Sequence, residues 1–98
     1  MLREDVLALL IAHKAELTEQ GVDALFLFGS FARNEAKADS DVDLLVEFNP
    51  TRPIGIFAFL RLKEYLETLL GLRVDLVTPD ALKRQLREGI LSEAIRAA

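Results

Sequence analysis

The sequence predicts a single α/β domain, α+β in stricter usage, built as a mixed or largely antiparallel sheet of three or slightly more strands with helices packed on it. Three observations predict it. Segments of strand length recur at Ala24–Phe28, a continuous apolar run, at Asp41–Phe48, which alternates, and at Arg73–Val77, and the stretches between and around them carry apolar residues three and four apart, the helical period. Gly and Pro clusters punctuate the changes of period. The resulting order is helix, strand, helix, strand, helix, strand, helix, helix, with no repeat and no linker long enough to divide the chain. A chain of 98 residues with 51% hydrophobic and 29% charged content supports one core over residues 1–98 and leaves no length for a second.

The elements follow in order. Leu2, Val6, Leu9, Leu10, His13 and Leu17 mark one amphipathic helix over Leu2–Gln20, stopped at Gly21. Ala24–Phe28 is a continuous apolar run that empties into Gly29-Ser30 and reads as a buried strand ending in a tight turn. Phe31–Ala38 is expected to form about two helical turns, closed by Asp39 and Ser40. In Asp41–Phe48, Val42, Leu44, Val46 and Phe48 alternate with Asp41, Asp43, Leu45 and Glu47, which predicts a second strand with one apolar face. Asn49-Pro50-Thr51-Arg52-Pro53 is a turn, after which Phe57, Leu60, Tyr65, Leu66 and Leu69 make a helical stripe ended near Gly71. Arg73–Val77 is the third strand. Thr78-Pro79 has the N-cap and first-turn character of a helix running through Leu86, and Gly89 is expected to divide it from a short final helix in which Ile90, Leu91 and Ile95 either complete the core or form an association surface.

Charge and composition exclude several function classes. A net charge of −4 argues against broad attraction to nucleic acid or an anionic membrane, which needs concentrated Lys and Arg. The chain has no cysteine, so it has no disulfide frame, zinc knuckle or thiol nucleophile, and a reducing, cytoplasmic setting is expected. Residues 1–20 include Arg3, Glu4, Asp5, Lys14, Glu16 and Glu19, which interrupts any signal-peptide or membrane-spanning pattern.

The chemistry rests on where the acids fall. Asp41 and Asp43 are two apart on a strand and project to one face, and Asp75 can join them from the third strand. If the turn after the first strand shares a site with the acids opening the second, those two strands must run antiparallel. Bare carboxylates about 4 Å apart repel by about 4 kcal/mol at an effective dielectric of 20, and divalent cations offset that. Mg²⁺ takes hard oxygen ligands from a few carboxylates and fills its shell with water and phosphate. Gly29 allows a phosphate close to the main chain, and Ser30 with nearby backbone N–H groups can donate to phosphate oxygens. With Asp41 and Asp43 as chief ligands, Asp75 can serve a second metal and help deprotonate an attacking hydroxyl.

Gly29-Ser30, ten intervening residues and Asp41-Val42-Asp43, with Asp75 where a third carboxylate is expected, resemble the signature of the polymerase-beta-like nucleotidyltransferase superfamily. The flanking Phe28-Gly29-Ser30-Phe31-Ala32-Arg33 and Ser40-Asp41-Val42-Asp43-Leu44-Leu45-Val46 are most similar to the minimal nucleotidyltransferases of prokaryotes, and the resemblance covers nearly the whole chain. It implies the nucleotidyltransferase fold, Asp41, Asp43 and Asp75 as catalytic metal ligands, a pair of Mg²⁺ ions, and ATP as AMP donor. It also implies a partner: such proteins commonly act as antitoxins of a helical HEPN-domain ribonuclease toxin and adenylylate a tyrosine near its ribonuclease site.

Each residue also has a plain reading. A lone Gly-Ser turn is usually only a turn, and the two aspartates apart from it would pass as solvent-facing strand or turn acids. Arg33, one helical turn beyond Ser30, is placed to reach phosphate or to lie solvated on a short helix. His13 falls on an apolar stripe and reads as packing; Lys83, Arg84 and Arg87 read as a solvated helix face with Glu88; Tyr65 and the six phenylalanines read as core. The leading function is adenylyl transfer from MgATP to a tyrosine of a HEPN toxin. Transfer to a small molecule such as an aminoglycoside, and a silent module that blocks its partner sterically, are the alternatives.

Overall fold

The computed structural model describes residues 1–98 except Pro53 and Lys83 and the side chains of 84–86. Ten elements follow one another: helices α1 (Arg3–Ala12) and α2 (Lys14–Glu19), strand β1 (Val22–Phe28), α3 (Gly29–Ala32), β2 (Val42–Phe48), α4 (Ile56–Leu70), β3 (Val74–Val77), a 3-10 turn at Pro79–Ala81, α5 (Arg84–Glu93) and β4 (Ile95–Arg96). The strands form one mixed sheet in the order β3-β2-β1-β4. β1 runs antiparallel to both neighbours and β2 pairs with β3 in parallel. A parallel pair needs a crossover, and α4 supplies it.

Most of the helices cover one face of this sheet. Val6 and Leu10 of α1, Leu17 of α2 and Leu62, Leu66 and Leu70 of α4 pack on Leu25, Leu27, Val42, Leu44, Val46, Val74 and Leu76. Phe31 and Ala32 of α3 close one end of the same cluster. The α/β class, the mixed sheet and the antiparallel β1–β2 pair agree with expectation. Among the described residues no helix is long and apolar enough to cross a membrane.

Six local expectations are corrected. The first helix breaks at His13, whose φ of −109° leaves the helical range while its Nδ1 lies 2.8 Å from the Leu9 carbonyl oxygen; a side chain that takes up a helix carbonyl competes with the regular ladder. α3 is one turn instead of two, because Asn34 adopts φ 61°, a left-handed conformation that ends helices. On α4 the buried stripe is Leu62, Leu66 and Leu70, which pack into the sheet core, and Phe57 and Leu60 are exposed, a rotation that periodicity alone leaves open. The helix expected from Thr78-Pro79 through Leu86 is instead a 3-10 turn at Pro79–Ala81 followed by the start of α5 at Arg84, and Gly89 lies inside α5 rather than dividing two helices.

The last correction is the C-terminus, which is strand instead of helix. Ile95 and Arg96 pair with Leu27 and Phe26, and Leu25 accepts a 2.7 Å bond from the Ala97 N–H and donates 3.1 Å to the Ala98 carbonyl. β1 is buried on both faces, so its second edge would otherwise hold unpaired backbone groups. Ile95 packs against the core and Ala97 is buried, whereas Leu91 remains exposed. The predicted turn residue Pro53 lies outside the described residues.

Candidate active site

The strand directions determine which residues meet. The antiparallel register sets Phe28 opposite Asp43, and the parallel register sets Asp43 opposite Asp75. The end of β1, the start of β2 and the start of β3 therefore form one edge of the sheet. Gly29 follows Phe28 directly, and Asp41 precedes β2 by one residue.

Gly29 is required there on two counts. Its φ is 73°, a conformation L side chains adopt at a cost, and a β-carbon on it would collide with the Asp43 carboxylate, standing 2.9 Å from Cγ. Asp43 thus lies directly over the turn. Ser30 is half-buried and its carbonyl accepts a 2.8 Å bond from the Glu35 N–H, which folds the chain back after α3.

The carboxylates crowd one another. The Asp43 carboxyl is pushed up from 3.8 to about 6, first by burial and then by the negative charges of Asp75 and Asp41, with Arg33 pulling the other way and Glu93 adding to the rise. Asp41 lies at the rim, its Oδ1 3.6 Å from Arg73 Nε, both side chains largely in solvent. Among the described residues no three acidic or imidazole side chains are gathered tightly enough to enclose a metal ion. The donor set nonetheless suits a hard divalent cation: its ligands are all carboxylate oxygens, and the charge repulsion that lifts Asp43 is what such an ion relieves.

Arg33 is exposed, and two acids already engage it. Its Nε donates to Glu35 at 3.2 Å and its Nη1 to both Glu93 carboxylate oxygens at 3.2 Å, and these bonds raise its pKa, Glu35 first. Glu93 also accepts the Gly29 N–H at 3.2 Å. Sequence reasoning missed Glu93, because only the return of the chain as β4 brings the end of α5 to the Gly29 turn. Of the expected solvated basic face, Lys83 and the Arg84 side chain lie outside the described residues. Arg87 is structural: its Nη2 donates 2.6 Å to the Pro79 carbonyl and pins α5 to the 3-10 turn. A surface hollow of about 390 Å³ lined by Phe48, Thr78, Pro79 and Asp80 opens at the far end of β2, remote from all of these acids. The acidic charge converges at the carboxylate edge instead, which is therefore the candidate site.

Residues 10–97 match the family model of the nucleotidyltransferase domain. The protein adenylyltransferase MntA of Thermococcus cleftensis is 47% identical over 93 residues, which covers 94% of this chain and 92% of that protein. A solved candidate minimal nucleotidyltransferase superposes with a TM-score of 0.83 at 43% identity, over 97% of this chain and 95% of that one. A chain from the solved complex of a tri-AMPylated Shewanella oneidensis HEPN toxin with an MNT antitoxin gives a TM-score of 0.65 over 94% of this chain and 71% of its own. At 19% identity that last likeness speaks for the fold alone. A family match along most of the chain, carried by a sheet that brings Gly29, Asp43 and Asp75 to one edge, means that this chain belongs to the nucleotidyltransferase domain family.

Proposed function

We propose that the chain is a Mg²⁺-dependent protein adenylyltransferase that moves AMP from ATP onto a tyrosine hydroxyl of a HEPN-domain toxin and thereby acts as its antitoxin in the cytoplasm. The register that sets Asp43 beside Asp75, with Gly29 beneath Asp43, carries this reading. The adenylyltransferase named in the Thermococcus relative and the AMPylated toxin of the Shewanella complex support the choice of donor and acceptor.

Asp41, Asp43 and Asp75 would hold the metal ions. Bound there, Mg²⁺ supplies Lewis-acid stabilisation of the charge that builds on the phosphates during transfer. The chain's own groups do the rest. The bare Gly29 backbone lets the triphosphate approach the main chain, Ser30 can donate to a phosphate oxygen, and Arg33 can pair with another. Asp75, on the edge strand, can accept the proton of the incoming hydroxyl. That hydroxyl attacks the α-phosphorus, the bond to the β-phosphate oxygen breaks, and pyrophosphate leaves.

The test compares wild type with the Asp41→Ala, Asp43→Ala double variant. Each is incubated with labelled ATP, Mg²⁺ and a HEPN-domain toxin from the same organism, and the products are read by mass spectrometry. Addition of an AMP mass to a partner tyrosine by wild type and not by the variant is the expected result. A stable complex without transfer would refute the enzymatic reading in favour of steric inhibition, and label on a small acceptor alone would refute the protein acceptor.

A further inference from the structure

We propose that Glu93 is a latch on the nucleotide cradle, a carboxylate of the chain itself that occupies the donors a phosphate group must take. The idea rests on the nucleotide reading above. Both Glu93 oxygens accept 3.2 Å bonds from Arg33 Nη1, and Oε1 also accepts the Gly29 N–H at 3.2 Å. A backbone N–H and a guanidinium converging on two anionic oxygens form the same arrangement that holds phosphate oxygens. In the structure those donors are already satisfied.

The fold holds the latch in place. Glu93 is the last residue of α5, and two residues later β4 pairs with Phe26 and Leu27 of β1. α5 also lies against α3 and β1. The backbone is therefore anchored on both sides of Glu93, while its side chain is 31% exposed and has an open route into solvent. Release needs rotation about side-chain bonds only. Once released, Arg33 and the Gly29 N–H face the site and the local negative charge moves away from the phosphates. With Glu93 seated, nucleotide binds only the open fraction of molecules, and the apparent affinity falls by that fraction.

Calorimetric titration with Mg²⁺ and α,β-methylene ATP, which cannot transfer AMP, tests this on the whole chain. Glu93→Gln keeps the shape and removes the charge, and it should tighten binding by roughly three- to tenfold, the gain expected if about a third to a tenth of molecules are open. In an Arg33→Ala background the same change should gain less, because Glu93 has lost its main tether. In the wild type, the Glu93 side-chain carbonyl resonance should shift as the analogue saturates the protein, a readout that needs no variant. Weaker or unchanged binding by Glu93→Gln would show that Glu93 positions Arg33 or does nothing, and would overturn the latch alone. An undiminished gain without Arg33, or an unmoved Glu93 resonance at saturation, would also overturn it. Failure of wild type and Glu93→Gln alike to bind the analogue would overturn the latch together with the function it rests on.

Discussion

Asp43→Asn should make the metal-free protein more stable at neutral pH while abolishing transfer. The Asp43 carboxyl is raised from 3.8 to about 6, chiefly by burial and then by Asp75 and Asp41. A carboxyl with a raised folded pKa holds its proton more tightly when folded. Its contribution to stability is therefore fully present below about pH 4 and is lost as pH rises through about 6. Two pKa units correspond to about 3 kcal/mol at about 1.4 kcal/mol each. Asp43 is half-buried, and solvent screening reduces that to about 1–1.5 kcal/mol. For a domain of this size each kcal/mol moves the melting temperature by about 4–8 °C. Thermal unfolding in EDTA should thus show the variant melting higher than wild type at pH 7.5, with the gap closing toward pH 4. Mg²⁺ should then raise the wild type and leave the variant where it is. A variant that melts at or below wild type at pH 7.5, or a gap that does not depend on pH, would refute the claim that crowded carboxylates strain this edge of the sheet.

Gly29→Ala should cost about 2–3 kcal/mol in chemical denaturation, from a left-handed φ of 73° and the displacement of Asp43. Gly71→Ala is its control: φ is 67° and nothing lies within 4 Å of an added β-carbon, so only the backbone penalty of about 1 kcal/mol is expected; equal costs would mean that the Asp43 contact carries no weight. Leu66→Ala, at a fully buried position of α4, should cost about 2–5 kcal/mol, whereas Phe57→Ala, at a side chain 75% exposed, should stay within about 0.5 kcal/mol. Similar costs for the two would contradict the observed rotation of α4.

Local signals were enough to read much of this protein from its residues. Gly21 and Gly71 stop helices where expected, both with positive φ, because backbone permissiveness belongs to the residue itself. The apolar run of β1 and the alternation of β2 place Gly29 and Ser30 just after one strand and Asp41 and Asp43 at the start of the next, since strand period is also a property of a few neighbouring residues. Even the antiparallel β1–β2 pair followed once Gly29 and the aspartates were required to meet. Leu45 shows the limit of that alternation: it shares a face with Asp43, yet it is fully buried, because what covers a sheet face is decided by distant segments.

The rest depended on contacts far apart in sequence. Asp75 lies beside Asp43 only because β3 pairs in parallel at that register, and no residue near 75 encodes the pairing. The face α4 buries is the one that meets the sheet, through Leu62, Leu66 and Leu70. β4 exists because β1 has a second edge to fill, so a segment that looks helical becomes a strand. Glu93 reaches Gly29 across 64 positions for the same reason. Residues close in the chain were enough to place β1, β2, β3, the long helix α4, the Gly29-Ser30 turn and the acids, because these depend on neighbours within a turn or two; the 3-10 turn at Pro79–Ala81 and strand β4 were not legible in that way. Only the tertiary structure decided which acids share an edge and which carboxylate lies across the cradle, because those depend on strand pairing between segments that local propensity cannot sense.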